Sequence, residues 1–460
     1  MGDDRYRATL QALYARRRFG MRPGLEVIRA LLAGLDHPER AFTAIHVTGS
    51  KGKGSVAALA ASVLAATGEP VGLFTSPHLV SYRERIRIGS RVIPRTAVVR
   101  GIARLTEEVR RGLATGGLER EPTFFELTTA LAFDWFRAQE VRHAVIEVGL
   151  GGRLDSTNVL RAPVGILTTI ELEHTDVLGP TLRDVAREKA GILHPGMRGL
   201  VGAVGPEPYE EIARIAAERG IPLERLGREV RVEARTLGPR GQRLTLATPA
   251  GELADVELPL FGTFQASNAA LAVAASQAYA RSVGLSLDEA AVREGLRSVR
   301  WRGRLERVAR RPDLFFDVAH TPESARAVAA SLAEMFPFSD PAENAIVFGC
   351  LVDKRSGEML EALAPLARTL VVVPVRSARS APVDALRRAG VGRFPKIVQA
   401  DDAAAGLAVA RAATGPDGLT LALGSDYLIG ELLRARDGDG HEEPDLSDPG
   451  IAADPGGRER

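Results

Sequence analysis

The chain has 460 residues, 45% of them hydrophobic and 26% charged, and a formal net charge of +2. That length suits two or three domains with sizeable cores, and the near-neutral balance gives no case for nucleic-acid or membrane partners. A single cysteine, Cys350, excludes an intrachain disulfide and fits a reducing compartment, and the first residues lack an apolar signal core, so a cytoplasmic location is expected.

Taken in chain order, residues 6–35 read as two amphipathic helices around the turn "FGMRPGL". "FTAIHVTG" is a short β-rich run ending in glycine, and "VAALAASVLAAT" is a helix; strand, Gly-rich turn and helix form the setting of a phosphate loop. The longest apolar stretch, 56–66, is shorter than the roughly 18 residues a membrane span needs. "VGLFTS", "HAVIEVG", "VGILTTI" and "GLVGAV" are further strands, alternating with helices over 94–113, 123–138 and 181–191. Such alternation predicts a mostly parallel sheet covered on both faces.

From about 230 to 259 the pattern changes to alternating runs with turn residues, which predict antiparallel strands. A helix over "FGTFQASNAALAVAASQAYA" and a shorter one near 287–296 follow. The basic segment 300–304 is placed as a boundary. Beyond it "DLFFDVA", "NAIVFGC", "TLVVVPV" and "LTLALG" form a second α/β set. The stretch 437–460 is Gly-, Pro- and acid-rich and is expected to be disordered. The expected division is 1–299, 300–436 and a tail over 437–460.

Only five of the 60 basic residues are lysine: Lys51, Lys53, Lys189, Lys354 and Lys396. Arginine cannot replace lysine where a compact ammonium must reach a phosphate or a neutral amine must react. Lys51 and Lys53 lie in "HVTGSKGKGSV". There Gly49, Gly52 and Gly54 let amides converge on an anion, Lys53 supplies a point charge, and Ser55 offers a Mg2+ ligand. Ser50 completes the loop. The spacing departs from G-x-x-x-x-G-K-[ST], and a tight packing turn is the alternative.

Glu147 ends the strand in "VIEVGLGGRLDSTN", where α/β sheets bind ligands, and Mg2+ would neutralise a carboxylate buried there; a surface carboxylate before a turn is the alternative. His174 follows another strand beside Glu173 and Asp176, as a ligand or a structural histidine. Lys189 sits among small residues, where a partly dry amine is easily neutralised and can react with carbon dioxide, unless it is an ordinary helix-end lysine. In the distal half, Arg304, Asp317 and His320 place polar groups at a hinge and a strand end, as a closing lid would.

"RFGMRPGLEVIRALL", "HVTGSKGKGSV", "TSPHLVSYRERIRI", "TFFELTTALAF", "EVGLGGRLDSTN", "HTDVLG", "REKAGI", "FQASNAALA", "GRLERV" and "DVAHTPES" resemble the folylpolyglutamate synthase/dihydrofolate synthase family of the Mur ligase superfamily, from about residue 6 to 434. The resemblance implies a P-loop-type, mostly parallel α/β domain like the Mur ligase central domain, with a smaller Rossmann-like C-terminal α/β domain. It implies ATP-dependent phosphorylation of a folate or dihydropteroate carboxylate and attack on the acyl phosphate by L-glutamate.

By the same resemblance, Lys53 meets the β/γ-phosphates within a nucleotide site of Gly49, Ser50, Lys51, Gly52, Gly54, Asn268, Arg304, Asp317 and His320. Ser55, Glu147 and His174 hold Mg2+, and a carbamylated Lys189 holds a second. Ser76, His78 and Glu126 line the pterin side, and Arg153 and Asp155 adjoin the acyl-phosphate centre. A monomer is expected. The chain departs from the family pattern at Lys51, Glu173, Thr321 and "LVDKR". Another Mur-type amide ligase acting on a cell-wall or peptide precursor, or a nucleotide-binding protein without turnover, are the alternatives.

Overall fold

The computed structural model describes residues 2–16, 24–337 and 339–438. Most of the expected turn "FGMRPGL", and all but the first two residues of the expected tail, lie outside the described residues. Helices Gly2–Ala15 and Glu26–Gly34 precede β1 (Thr43–Thr48). One sheet then gathers β2 (Val71–Phe74), β3 (Ile86–Ile88), β4 (Arg91–Val92), β5 (His143–Glu147), β6 (Val164–Thr169), β7 (Arg198–Ala203) and β8 (Leu223–Arg225) in the order β4-β3-β2-β5-β1-β6-β7-β8. All pairs from β2 to β8 are parallel, while β3 and β4 add an antiparallel edge.

The pleat explains why the strands read as continuous apolar runs. Ile45, Val47 and Val145 enter one core with helices Lys53–Ala65 and Thr263–Val283. Ala44, Ala144 and Ile146 enter the opposite core with helices Arg95–Thr115 and Phe124–Ala138. Val47 pairs with Glu147, and Thr48 with Leu167. The carboxyl ends of β1, β5 and β6 therefore finish level, and their loops share one crevice.

Three antiparallel strands, β9 (Arg231–Gly238), β10 (Gly241–Thr248) and β11 (Gly251–Leu258), pack Leu244, Leu246 and Val256 into the core of helix Thr263–Val283. The chain then crosses through residues 299–305 to a six-stranded sheet. It contains β12 (Glu306–Ala309), β13 (Asp313–Asp317), β14 (Ala345–Phe348), β15 (Thr369–Val372), β16 (Lys396–Gln399) and β17 (Leu419–Leu423), ordered β12-β13-β17-β14-β15-β16, with only β12 antiparallel. The α/β class expected from sequence is the observed one. The strands β3, β4, β8, β12 and β16 were not expected; each is two to four residues long and too short to show periodicity. Among the described residues no helix is long and apolar enough to cross a membrane.

Candidate active site

The Gly-rich loop is stitched to β6 before it turns into helix Lys53–Ala65. Ser50 N–H donates to the Thr169 carbonyl at 2.8 Å, Lys51 N–H to Thr169 Oγ1 at 2.9 Å, and Thr168 Oγ1 to the Lys51 carbonyl at 2.5 Å. Gly52 caps the helix at φ +83°, and a Cβ there would lie 2.9 Å from Asn268 Oδ1. Left-handed backbone and close approach both demand glycine. The first-turn amides of a helix lack intrahelical acceptors, so the helix points donors and its positive end at the crevice. Ser55 Oγ accepts from Gln265 Nε2 at 3.3 Å, and Asn268 Nδ2 donates to Gln265 Oε1 at 3.0 Å, which orders that wall.

A cavity of about 580 Å³ opens where the two large sheets face each other. Residues 50–55, Ser76, His78, Glu147, His174 and Asn268 line it from the first half, and Arg304, Asp317 and His320 from the second. The topology thus brings most of the residues singled out from sequence to one cavity.

Burial dominates the electrostatics. Glu147 is 3% exposed and, among the described residues, accepts only from Ser76 N–H, at 2.9 Å; burial pushes its carboxyl up to about 7 although Lys53 and Arg304 pull it down. Lys189 is 1% exposed, and its ammonium donates to the Gly49 carbonyl and to Glu173 Oε1, both at 2.9 Å. Burial lowers Lys189 to about 8 despite Glu173. Burial would raise Glu173, but Lys189 and then Lys53 outweigh it and hold the carboxyl at about 2. Burial also lowers His174, favouring a neutral imidazole that can ligate. Across the cavity, burial raises Asp317 to about 6 against Arg304, and lowers His320 to about 4 despite Asp426.

Five expected site residues do not line the cavity. Gly49 and Lys189 lie directly behind the loop, joined by the hydrogen bond above. Glu126 is the N3 carboxylate of helix Phe124–Ala138: it accepts from Thr123 N–H at 2.7 Å and pairs with Arg120, so helix capping occupies it. Asp155 accepts from Leu150 N–H at 3.0 Å and from Thr157 N–H at 2.9 Å and Oγ1 at 2.5 Å, folding the glycine-rich loop around itself. Arg153 pairs with Glu188 at 2.8 Å. The Glu126 and Asp155 carboxylates thus accept from backbone N–H groups at element ends, while Arg153 is paired with a side chain.

Glu171, Lys354, Arg376, Asp426, Glu431 and Arg434 also line the cavity and were missed as site residues. Lys354 was recoverable, because the scarcity of lysine already marked it; the others lack a motif. Of the departures, Thr321 caps helix Pro322–Met335, its Oγ1 accepting from Ser324 N–H at 3.3 Å, while Glu173 is the partner of Lys189.

The chain matches the Mur ligase middle domain over residues 95–276 and the Mur ligase glutamate ligase domain over 303–426. It is 36% identical to folylpolyglutamate synthase of Lacticaseibacillus casei over 348 residues, covering 76% of this chain and 80% of that protein. It is 32% identical to dihydrofolate synthase/folylpolyglutamate synthase of Escherichia coli strain K12, covering 90% and 91%. A solved structure of the Mycobacterium tuberculosis folylpolyglutamate synthase, complexed with ADP and AMPPCP, superposes with a TM-score of 0.85 at 33% identity, covering 94% of this chain and 98% of that one. An FPGS–AMPPCP–folate complex superposes at 0.80 with 32% identity, covering 94% and 99%. The level strand ends, the Gly-rich cradle and these likenesses agree: the chain belongs to the folylpolyglutamate synthase/dihydrofolate synthase family of Mur ligases.

Proposed function

We propose that the chain is an ATP-dependent ligase that joins L-glutamate to the carboxylate of a folate or dihydropteroate. One observation carries the reading: Lys51, Lys53 and the buried Glu147 share a single cavity with Arg304, Asp317 and His320 of the facing sheet. A substrate carboxylate oxygen attacks the γ-phosphorus, the bond to ADP breaks, and an acyl phosphate forms. The glutamate nitrogen then attacks the acyl carbon, phosphate leaves, and the nitrogen loses a proton. Phosphate oxygens crowd in both steps, and fixed cations at the end of a helix dipole favour them. In this reading Lys53 leaves the Gly49 carbonyl to meet the terminal phosphates, Asn268 and Arg304 contact the nucleotide, and Asp317 and His320 contribute from the second domain. Ser76 and His78 stand on the pterin side.

The donors fit Mg2+. Ser55, Glu147 and neutral His174 line the same cavity and offer hard or borderline ligands, and Mg2+ would complete its shell with water and phosphate rather than an all-protein cage. Among the described residues there is no cluster of three or more acidic, His or Cys ligands, in keeping with such an open site. When bound, Mg2+ would neutralise phosphate charge.

Carbamylation of Lys189, with a second Mg2+ on it, is the finer part of the proposal. The amine attacks carbon dioxide, an N–C bond forms, and a proton departs to solvent. A carbamate on this nitrogen is an anion and cannot pair with the Glu173 carboxylate as the ammonium does, so the carbamate and the ion pair are alternative states. We take the chain to divide near residue 300 and to act as a cytoplasmic monomer; both halves of the cavity come from one chain.

The test is ADP release from full-length protein with Mg2+ and ATP. It is expected only when a pterin acid and L-glutamate are both present. Release that follows a different acceptor points to another Mur-type ligase, and ATP binding without amide formation removes the enzymatic reading.

A further inference from the structure

Helix Asp426–Asp437 presents Tyr427, Gly430, Glu431 and Arg434 to the cavity, one stripe at i, i+3, i+4 and i+7. Gly430 lets the wall close: a Cβ there would lie 2.2 Å from the Leu79 carbonyl. Arg434 is thereby held beside the loop that carries His78. Its guanidinium donates to the Val80 carbonyl at 3.4 Å and has no carboxylate within 4.0 Å among the described residues. A guanidinium has five N–H donors, so among the described residues most of its capacity is unspent. Arg376 stands on the other side of Glu431. Its backbone N–H donates to Glu431 Oε1 at 2.7 Å, and its Nε is 4.0 Å from Oε2 with the side chain 61% exposed.

We propose that Arg434 and Arg376 form a subsite for the α-carboxylates of glutamyl residues already attached to the folate, and that they set the enzyme's preference for tail length. The inference rests on the function proposed above. In the reading above, the phosphate end already has Lys53 of the Gly-rich loop and Arg304, which leaves these two arginines without an assigned ligand. The loop from Ser76, bonded to Glu147, to Val80, bonded to Arg434, links the two places over four residues, at most about 14 Å of extended chain. A γ-linked glutamyl unit adds about five bonds of roughly 1.5 Å, so one or two units reach from a reacting carboxyl to these cations. Planar guanidinium groups suit carboxylates in a bidentate contact, which explains arginine rather than lysine.

Calorimetric binding of pteroate, folate monoglutamate and folate triglutamate to the full-length protein tests this, with the KM for L-glutamate measured alongside. Arg434→Ala should weaken triglutamate about 10-fold, the scale of one lost charge-assisted contact, and leave pteroate binding and the KM for L-glutamate unchanged. Arg434→Lys should recover part of the loss. Arg376→Ala, at an exposed side chain, should show the same selectivity and covers the case in which Arg434→Ala unfolds. Equal weakening of pteroate and triglutamate overturns the proposal. So does a raised KM for L-glutamate with folate binding intact, which would assign the arginines to the incoming amino acid. A wild-type protein that binds no pteroate removes the parent function and this subsite with it, whereas normal pteroate binding with no tail-length effect removes the subsite alone.

Discussion

Lys53 and Lys189 meet at one acceptor: both ammonium nitrogens lie 2.9 Å from the carbonyl oxygen of Gly49. One lysine stands in front of the glycine-rich loop and the other behind it, so the backbone between them is clamped by charge on two sides. Two like charges on one carbonyl repel, and Glu173 offsets that repulsion behind the loop. In the proposed reaction Lys53 leaves this carbonyl for the phosphate in front.

Lys189→Arg tests the rear lysine. A guanidinium is larger than the space left by a side chain 1% exposed, and overpacking costs about 1–3 kcal/mol. We predict a fall in ADP release of about 100-fold, as for loss of one placed electrostatic donor, with a cooperative thermal transition retained. Near-normal turnover in this variant would show that any cation suffices.

Glu173→Gln tests the competition between ion pair and carbamate. Removing the anion frees the Lys189 amine. The 13C signal of a protein carbamate in labelled bicarbonate should therefore be stronger in the variant than in the wild type, and absent from Lys189→Arg. Equal signals in Glu173→Gln and wild type would show that the two states do not compete.

His46 governs an acid limb of stability. It is buried in β1, and its Nε2 lies 2.9 Å from Thr157 Oγ1. Thr157 spends its own proton on Asp155, so His46 Nε2–H is the donor and the ring is neutral. Burial, with His194 adding to it, lowers the ring from 6.5 to about 3. Below pH 6.5 the unfolded chain takes up a proton that the native state refuses, so stability falls with acid by about 1.4 kcal/mol per pH unit until about pH 3. His46→Gln keeps a donor and loses that term. Unfolding midpoints between pH 6.5 and 4.5 should decline more slowly in the variant, and parallel declines would refute the assignment.

Asp317 holds the crossover to the second sheet. Its two oxygens accept from Leu305 N–H and Ala319 N–H, each at 2.7 Å. Leu305 adopts φ +48°, which a leucine keeps only when something fixes it. Asp317→Ala leaves two buried donors unpaired, at about 1–3 kcal/mol each. We predict a lower melting temperature together with a raised KM for ATP. A changed KM with unchanged stability would limit Asp317 to a contact role.

Candidate site residues were legible in the sequence where few residue types could serve. Lysine scarcity marked Lys53 and Lys189, and β-strand ends marked Glu147 and Asp317. Glu126 and Asp155 stood out in the same way, because a carboxylate that caps a helix or folds a loop has the same local signature as one that meets a ligand; the fold shows their backbone partners, which the sequence could not. The His46–Thr157 contact spans 111 positions in the chain, and Arg434 lies on a helix that carries no motif, so both needed the three-dimensional arrangement. The short edge strands owe their pairing to neighbours rather than to their own pattern.

Leu79 and Val80 leave the first half of the chain and pack against the core of the second, beside Val318 and Ile429. Glu84 gathers the N–H groups of Leu79, Val80 and Ser81 at 2.9–3.1 Å, so the segment is shaped before it arrives. A fragment cut near residue 300 would keep the formed lip and bare its two greasy side chains to water. Such a half-molecule should self-associate, and it should regain solubility when the missing half is supplied in trans.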